Sequence, residues 1–522
     1  MISVTQNLHS YMFAMAVAVL SLISYILATI LVGCSGCVLC LVAYLYYVHK
    51  INDHLPGPPR SSFILGHLPD IWNYKAATGR TSNEFLLEKR LEYGPIFVIF
   101  IVYKPIVFLG DSSYLRHVYI NNHASLCKSS SFYPKLGFIY GERGAGYGLV
   151  VNTNEASWRK RRQLMNPAFH RKCLKDFMIN FNNVCDTFLT HMSTVVDGGK
   201  PTSMAKEFAK VTLEAISQVS FNINTNAIED PDSPFPDAIR RYLSGVQDNI
   251  EIPLHPRLLA IFQFSLFQNG TKREQINAAR FLRKFASDCI TSRMKDISDN
   301  KDCPNDLLSL LIRDSSLSLD DKIDEFITIF IAGQETTTNS LSFVLFEIIS
   351  NPHVEEKLLD EVNEVLGGRD YVEFDDLAKL KYLRQVLEEG LRKYPVAPAP
   401  ARMLVKSIEV GGYHIRKGSS INSQQLFFGM NPEIWENPEV FDPERFSSAK
   451  DIPNFSMTHF PFSIGPRNCI GQTFSKFESK VILAKLLRKF QFALSPGQTS
   501  RMKARLTLTP RDGVMCMVTK RE

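Results

Sequence analysis

The chain has 522 residues, a net charge of +6 at pH 7 and 45% hydrophobic side chains, so it can bury a large core. This modest charge, with basic residues scattered along the chain, does not indicate nucleic-acid binding. The ten cysteines do not form the close framework of a small secreted domain. No long linker or repeat follows residue 60, and we therefore predict one large globular body in a reducing compartment.

The amino-terminal segment has no charged side chain between Tyr11 and Val48. This uncharged stretch is longer than the ~20 residues that are needed to cross a bilayer. The first Lys or Arg is Lys50, and the positive-inside rule therefore predicts a single-pass transmembrane helix with the following body in the cytosol. A Gly-containing break at residues 33–36 leaves a helical hairpin as the alternative. We assign residues 1–50 to a membrane anchor, residues 51–60 to a proline-rich, semi-rigid linker and residues 61–522 to the main domain.

Two β-type segments lie between Tyr93 and Asp111, separated by a turn before Lys104 and Pro105, and this pattern predicts a hairpin. Most of the remaining chain is helix-like in spacing and propensity, most clearly over residues 157–198, 321–350, 353–366 and 377–393. The predicted fold class is mainly α with a small β component.

The clearest chemical motif surrounds Cys469, which lies between Gly465 and Gly471 and before a helical run. The glycines permit tight bends that aim peptide N–H groups at the sulfur, and the following helix amino terminus favours a thiolate. A buried thiolate needs a cation, which ferric haem supplies. We therefore expect Cys469 to be the axial ligand of a haem iron, Arg467 to pair with a haem propionate and Phe462 to pack beside the sulfur.

The segment from Phe462 to Gly471 resembles the haem-ligand loop of the cytochromes P450, and the resemblance extends over essentially all of residues 55–522. The resemblance implies the cytochrome P450 fold, haem b as cofactor and monooxygenase activity on a hydrophobic small molecule. It also implies electrons from NADPH through the flavoprotein NADPH-cytochrome P450 reductase. The expected location is the endoplasmic reticulum membrane, with the catalytic domain in the cytosol.

The centre of the apolar helix predicted near residues 321–350 reads Ala332-Gly333-Gln334-Glu335-Thr336-Thr337. This centre is poorly suited to helix stability, because Gly333 costs about 1 kcal/mol relative to Ala and Thr336 can bond back to the Ala332 carbonyl and open the helix locally. The resemblance identifies it as the oxygen-activating helix. Gly333 would then leave room for O2, while Glu335 and Thr336 would relay protons.

Glu389 and Arg392 are three residues apart on one helix face. The resemblance adds Arg445, from Pro443-Glu444-Arg445-Phe446, to a structural charge cluster with them. It also implies that Arg402 pairs with a haem propionate.

Trp158 and Arg162 are four residues apart and share a helix face. The resemblance implies that both hold a haem propionate. The intervening Arg159, Lys160 and Arg161 are then expected near the surface where an acidic reductase docks.

Within the family, residues 55–69, residues 140–143 with 148–150, and residues 460–472 resemble sterol-hydroxylating members, the cholesterol 24-hydroxylases. The expected substrate-lining segments, residues 144–147, 222–271 and 395–400, depart from them. A sterol is therefore one candidate substrate, and a fatty acid or a foreign hydrophobe fits equally. Two other classes stay open: a haem-thiolate isomerase or dehydratase, and a non-catalytic lipid-binding protein. Retention of Glu335 and Thr336 argues against the first, and retention of the oxygen-activating and haem-binding residues together argues against the second.

Overall fold

The computed structural model describes residues 2–130, 132–251, 270–398, 400–448 and 452–521. Its α-helices, in chain order, are α1 Ile2–Asn52, α2 Leu68–Thr78, α3 Ser82–Tyr93, α4 Ser112–Leu115, α5 Pro134–Gly137, α6 Glu155–Met165, α7 Arg171–Asp176, α8 Met178–Asp197, α9 Met204–Phe221, α10 Pro234–Glu251, α11 Gly270–Ser298, α12 Leu307–Arg313, α13 Leu319–Ser350, α14 Pro352–Leu366, α15 Asp376–Lys379, α16 Lys381–Lys393, α17 Leu426–Gly429, α18 Phe455–Thr458 and α19 Gln472–Lys489.

Its strands are β1 Ile96–Ile101, β2 Lys104–Leu109, β3 Leu126–Lys128, β4 Phe138–Ile139, β5 Glu142–Arg143, β6 Thr202–Ser203, β7 Arg402–Leu404, β8 Ile408–Val410, β9 Tyr413–Ile415, β10 Ser420–Asn422, β11 Phe490–Leu494, β12 Met502–Ala504, β13 Leu508–Pro510 and β14 Met515–Lys520. The predicted fold class, mainly α with a small β component, is confirmed. The predicted hairpin is the antiparallel pair of β1 and β2, in which Ile96 lies opposite Leu109.

The amino-terminal helix α1 continues through residues 33–36, so the structure does not form the alternative hairpin. Its 51 residues extend over about 77 Å at 1.5 Å per residue, well beyond a bilayer core of about 30 Å. Within the described part of the chain it is the one helix long and apolar enough to cross a membrane. Its last turns are buried against the body at Leu45, Val48 and Asn52.

The proline-rich segment after α1 packs on the hairpin. The Val98 N–H donates to the Pro56 carbonyl at 2.8 Å, and His67 Nε2 donates to the Pro58 carbonyl at 2.9 Å. A side chain at Gly57 would place its Cβ 2.5 Å from the Val98 carbonyl oxygen. The segment is therefore held to the main domain along its length and can transmit the direction of α1 to the body.

The largest sheet has the strand order β1-β2-β10-β7-β3. The central strand β10 is parallel to β2 and antiparallel to β7, and β7 is antiparallel to β3. This order brings Lys128, at the end of β3, directly opposite Arg402, at the start of β7. The sheet therefore places two basic residues side by side near the Cys469 loop.

Helix α13 runs through the main hydrophobic core. It begins with a capping box, in which Ser318 Oγ accepts a hydrogen bond from the Asp321 N–H while Asp321 Oδ2 accepts one from the Ser318 N–H, both at 3.1 Å. It ends before Pro352, whose ring begins α14. Helices α9 and α11 pack against it, and its side chains are mostly buried from Lys322 to Ile348.

One predicted helix is divided in the structure. Residues 157–198 form α6, α7 and α8, with the short 3₁₀ helix Asn166–Phe169 between the first two. Pro167 lies at the start of that turn, where its ring prevents α6 from continuing. The division turns α6 away from α8 and leaves α6 beside the Cys469 loop.

Candidate haem site

The Cys469 loop is a tight backbone structure ahead of α19. The Cys469 N–H donates to the Phe462 carbonyl at 2.9 Å, and the Asn468 N–H donates to the Gly465 carbonyl at 3.1 Å. Gly465 has φ +75°, and a Cβ there would lie 2.8 Å from the Tyr119 carbonyl oxygen. Glycine at 465 is therefore required both by the backbone conformation and by the close approach of another segment.

Cys469 has solvent-accessible surface, although many protein atoms lie close to its thiol. Burial raises the pKa of the thiol, while the Gly471 N–H and the Arg162 guanidinium act in the opposite direction. Because burial has the larger effect, the protein alone favours the neutral thiol. A bound metal cation would deprotonate it, and the Gly471 N–H, at the start of α19, is already placed to stabilise the thiolate.

Four cationic side chains gather on the amino-terminal side of the Cys469 loop. The three predicted members are Arg162, Arg402 and Arg467, and Lys128 is a fourth that sequence reasoning missed. Burial lowers the pKa of Lys128 well below 10.5, and Arg402, Arg467 and Arg162 lower it further. Glu155, whose Oε2 accepts a hydrogen bond from Arg467 at 2.7 Å, offsets part of this charge.

Arg467 and Arg402 are both fixed by neighbouring groups. The Arg467 guanidinium stacks 3.8 Å from the centroid of the buried Trp158 ring and donates to the Asn152 carbonyl at 3.0 Å. Arg402 Nη1 donates to the Tyr133 hydroxyl at 3.2 Å. Lys128 Nζ lies 4.4 Å from the centroid of that same Tyr133 ring, so Tyr133 joins the two cations of the sheet.

Arg162 contacts the Cys469 loop directly. Its Nη1 donates to the Asn468 carbonyl at 2.6 Å and its Nη2 donates to Asn468 Oδ1 at 3.0 Å. These two hydrogen bonds fix the residue that precedes Cys469 and connect α6 to the loop. The structure therefore gives Arg162 a loop-holding contact in addition to the propionate role that the sequence predicts.

This donor set fits a haem. A thiol that accepts a hydrogen bond from the Gly471 N–H suits an iron, and a buried excess of cations suits the two carboxylates of the porphyrin. Like charges directly opposite each other in a sheet are unfavourable unless an anion lies between them. Cys469 would hold the iron, and Arg162, Arg402, Arg467 and Lys128 would surround the propionates.

On α13, Thr336 Oγ1 donates to the Ala332 carbonyl at 2.8 Å, as the sequence suggests. The helix is nevertheless continuous from Leu319 to Ser350, so the expected local opening does not occur. A Cβ at Gly333 would lie 2.7 Å from the Ile216 side chain. Gly333 therefore has a packing reason to be glycine, the close approach of α9, besides the predicted space for O2.

Glu335 is held by two residues that the sequence analysis did not identify. Its Oε1 accepts hydrogen bonds from Asn339 Nδ2 at 3.1 Å and from Thr507 Oγ1 at 2.8 Å. Asn339 is four residues further along the same helix, a spacing that could have pointed to it. Thr507 is 172 residues away in sequence, and no local pattern marks it.

The predicted charge cluster is assembled in the structure. Arg392 Nε and Nη2 donate to the two oxygens of Glu389 at 2.6 and 2.7 Å, and both side chains are fully buried. Arg445 Nε lies 3.5 Å from Glu389 Oε1, and the Asp442 N–H donates to the same oxygen at 2.9 Å. The cluster thus joins α16 to residues 442–445.

The basic run on α6 is divided between surface and interior. Arg159 and Lys160 are exposed, as a docking surface requires. Arg161 is buried, with Nη2 donating to Asp321 at 2.7 Å and Nη1 to Glu325 at 2.9 Å. The expectation that Arg161 lies on the docking surface is therefore wrong. It shares the buried face of α6 with Trp158, three residues earlier.

The expected substrate-lining segment at residues 144–147 is attached to α13. The buried Asp324 accepts hydrogen bonds from the Tyr147 N–H at 2.8 Å and from Arg143 Nη2 at 2.7 Å. The Ala145 N–H donates to the Tyr242 hydroxyl at 3.0 Å. Of the other two segments, residues 252–269 and Ala399 lie outside the described residues.

Comparison with known proteins agrees with this site. The sequence profile described as Cytochrome P450 matches residues 56–517. The chain is 28% identical to "Cytochrome P450 4d2" of Drosophila melanogaster, over 89% of this chain and 93% of that protein. It is 28% identical to "Cytochrome P450 3A6" of Oryctolagus cuniculus, over 86% of this chain and 89% of that protein. It is 25% identical to "Lithocholate 6-beta-hydroxylase" of Mesocricetus auratus, over 92% of this chain and 95% of that protein.

A cysteine loop preceding a helix, a long central helix with an acid–alcohol pair and a mainly helical body together define a haem monooxygenase class. The chain belongs to the cytochrome P450 family. Family membership confirms the predicted fold, haem iron as cofactor and oxidoreductase class.

Proposed function

We propose that this protein is a membrane-anchored monooxygenase that hydroxylates a hydrophobic substrate, with a sterol as the first candidate. The reaction is RH + O2 + NADPH + H⁺ → ROH + H2O + NADP⁺, with electrons passed through NADPH-cytochrome P450 reductase. The observation that carries the proposal is the Cys469 loop next to a buried excess of cations. When bound, haem b supplies electron transfer to O2 and the activation of its O–O bond.

The proposed tasks of the chain's own residues fall into two groups. Cys469 would bind the iron, and the Gly471 N–H would stabilise the thiolate. Thr336 and Glu335 would position and supply protons, a role in which general acid catalysis typically contributes 10²–10⁴-fold. Phe462 packs beside the sulfur, and Lys476 lies 5.5 Å from the centroid of its ring.

The membrane attachment is proposed from α1 and the packed segment that follows it. We infer a single crossing of the endoplasmic reticulum membrane with the catalytic domain in the cytosol, since Lys50 follows the apolar run. The buried end of α1 and the hydrogen-bonded residues 56–58 support a body held at a defined angle to the membrane. Protease protection in microsomes would test this topology, because a cytosolic domain is digested without detergent.

The sterol proposal has two supports. Three scaffold segments resemble cholesterol 24-hydroxylases, and one relative is named for hydroxylation of a bile acid, a sterol derivative. A fatty acid or a foreign hydrophobe is the second candidate, because an apolar pocket suits either of them as well as a sterol. A lipid panel monitored for a Soret shift tests the choice, since a substrate displaces the water ligand of the iron. A panel in which fatty acids shift the band and sterols do not would overturn the sterol proposal.

The test of the class is the carbon monoxide difference spectrum of the reduced full chain. We expect a haem-thiolate band that is lost in Cys469→Ala and kept in Cys516→Ala, a matched removal of a buried thiol elsewhere. Consumption of NADPH and O2 with reconstituted reductase then separates a monooxygenase from an isomerase, a dehydratase or a lipid-binding protein. A haem band without NADPH consumption would exclude the monooxygenase.

A further inference from the structure

Glu335, Asn339 and Thr507 form a closed ring of hydrogen bonds. Asn339 Nδ2 donates to Glu335 Oε1 at 3.1 Å and to Thr507 Oγ1 at 3.0 Å. The Thr507 hydroxyl in turn donates to the same Glu335 oxygen at 2.8 Å. Each group has the role that its chemistry allows, since the amide has two N–H bonds, the hydroxyl both accepts and donates, and the carboxylate accepts.

The ring leaves the Glu335 carboxylate with two unlike oxygens. Within the described residues, the protein hydrogen bonds to this group all reach Oε1. Oε2 is then the oxygen that can bind and release a proton. Asn339 and Thr507 are only 4% and 6% exposed, so their bonds lie in a low-dielectric interior where water does not compete.

Thr507 is itself held in place from both sides. The following residue, Leu508, begins β13 and its N–H donates to the Val396 carbonyl at 2.9 Å. The preceding Arg505 N–H donates to the Thr507 carbonyl at 2.9 Å. Strand β13 packs against α13. The Thr507 hydroxyl is therefore presented to Glu335 by a fixed backbone that also contacts the expected substrate-lining segment at residues 395–398.

We propose that Thr507 and Asn339 are positioning residues for oxygen activation. They hold Glu335 by one oxygen and keep the other oriented for proton transfer toward Thr336 and the O2 site. This inference rests on the proposed monooxygenase function and deepens it, because it assigns the control of proton delivery to a residue outside α13.

The consequence concerns how the two electrons from NADPH are used. When the protons reach the oxygen atom that becomes water, O2 + 2e⁻ + 2H⁺ + RH gives ROH + H2O. With misplaced delivery, O2 + 2e⁻ + 2H⁺ leaves as H2O2 and the substrate is unchanged. Both routes balance with one NADPH and one H⁺. Loss of the Thr507 hydroxyl should therefore raise the hydrogen peroxide formed per NADPH without stopping electron transfer.

The test uses the full-length holoprotein with reconstituted reductase, with cholesterol as the probe and in parallel without added lipid. In Thr507→Val, nearly isosteric, we expect the peroxide yield per NADPH to rise about three- to tenfold. Thr507→Ser keeps the hydroxyl and should retain the wild-type yield. Thr509→Val is the matched control, because Thr509 lies two residues further along the chain, in β13, and its hydroxyl donates to the Lys503 carbonyl instead.

A double variant shows whether Thr507 acts through Glu335. In an E335Q background, T507V should add little to the peroxide yield, and an equal increase in both backgrounds would overturn the inference. If T507V lowers the haem content, Asn339→Leu replaces it as the test variant, because it removes the other hydrogen bond to Glu335 Oε1. It should also raise the peroxide yield per NADPH.

A crystal structure of the T507V holoprotein gives a readout that does not depend on turnover. We expect the Glu335 carboxylate to turn away from residue 507, and an unmoved carboxylate would contradict the proposal.

Failure of the proposed function and failure of the positioning inference give different results. If wild type has no haem-thiolate band or consumes no NADPH, the proposed function fails. If wild type turns over and T507V matches its peroxide yield, only the positioning inference fails.

Discussion

Lys128 lies directly opposite Arg402 in the antiparallel pairing of β3 with β7, and both side chains are more than nine-tenths buried. Two cations in this arrangement destabilise a sheet, and burial of an unpaired charge adds to the cost. The arrangement is stable when an anion lies between them. Haem propionates are the anions that the Cys469 loop would bring to this position.

The first prediction concerns the stability and the haem retention of the Lys128→Met variant. Since the pKa of Lys128 is lowered in the folded protein, the unfolded chain binds more protons between that lowered pKa and about pH 10, and the stability of the haem-free protein should rise with pH in that window. Lys128→Met should remove this pH dependence and stabilise the haem-free protein. It should also weaken haem retention by about tenfold, or 1.4 kcal/mol.

Urea unfolding of haem-free protein at pH 7 and 9 measures the first effect, and the rate of haem transfer to apomyoglobin measures the second. Lys104→Met is the control, because burial alone lowers the pKa of Lys104 and no cation contributes. A Lys128→Met variant that keeps haem as firmly as wild type would contradict the propionate role.

A second prediction concerns the buried Glu389 carboxylate. Glu389→Gln leaves Arg392 as a buried cation without its counterion, and removal of one partner from such a pair typically costs about 3–5 kcal/mol. We expect a loss of that size in the free energy of urea unfolding. Glu444→Gln breaks the exposed contact with Lys357 and should change stability by less than about 1 kcal/mol. Equal effects of the two variants would argue against a bracing role.

The parts of the molecule that the sequence predicts are those with a local pattern. The helical run predicted after Gly471 is α19, and the helix predicted at residues 321–350 is α13, Leu319–Ser350. The loop around Cys469 is likewise contained in ten consecutive residues. Each of these features depends on neighbours in the sequence, so periodicity and turn chemistry are sufficient.

Contacts between distant segments could not be predicted in this way. The Lys128–Arg402 pairing is set by sheet order, and the Thr507–Glu335 hydrogen bond by the return of a late strand to α13. Arg161 is a different case. Its spacing from Trp158 was visible in the sequence and indicated the buried face, but the surrounding basic residues favoured a surface interpretation.

A third prediction concerns Glu388 beside the Cys469 loop. Burial would raise the pKa of this carboxyl, but hydrogen bonds from His459 and Lys476, each at 2.8 Å, outweigh it and lower the pKa to about 2. The stabilisation is complete at neutral pH, declines as pH falls below about 4.5 and is lost near pH 2. Glu388→Gln should cost about 3 kcal/mol at pH 7 and flatten the acid dependence.

Urea unfolding of the full chain between pH 7 and about pH 2 measures this effect. Glu364→Gln is the control, since Glu364 is an exposed carboxylate on α14 and should leave the pH dependence unchanged. An acid dependence of Glu388→Gln that follows wild type would show that the ion pairs contribute nothing.

The last prediction concerns reduction by the flavoprotein partner. Arg159 and Lys160 are exposed on α6, whose buried face contacts the Cys469 loop through Arg162. An acidic reductase would be attracted to them, so Arg159→Glu with Lys160→Glu should slow reduction about tenfold at low salt. The difference should shrink as salt is added, because exposed charges are screened beyond about 10 Å at 0.1 M.

Stopped-flow reduction at several salt concentrations is the measurement. Lys284→Glu, an exposed charge reversal on α11, should leave the rate unchanged. Arg161→Glu would place a third carboxylate beside Asp321 and Glu325, and it should destabilise the protein by about 3–5 kcal/mol instead of altering docking. Because Arg161 is buried, any slowing it causes should be independent of salt, whereas the slowing caused by Arg159 and Lys160 should depend on it. Reduction rates unchanged at low salt in the double variant would place the docking surface elsewhere.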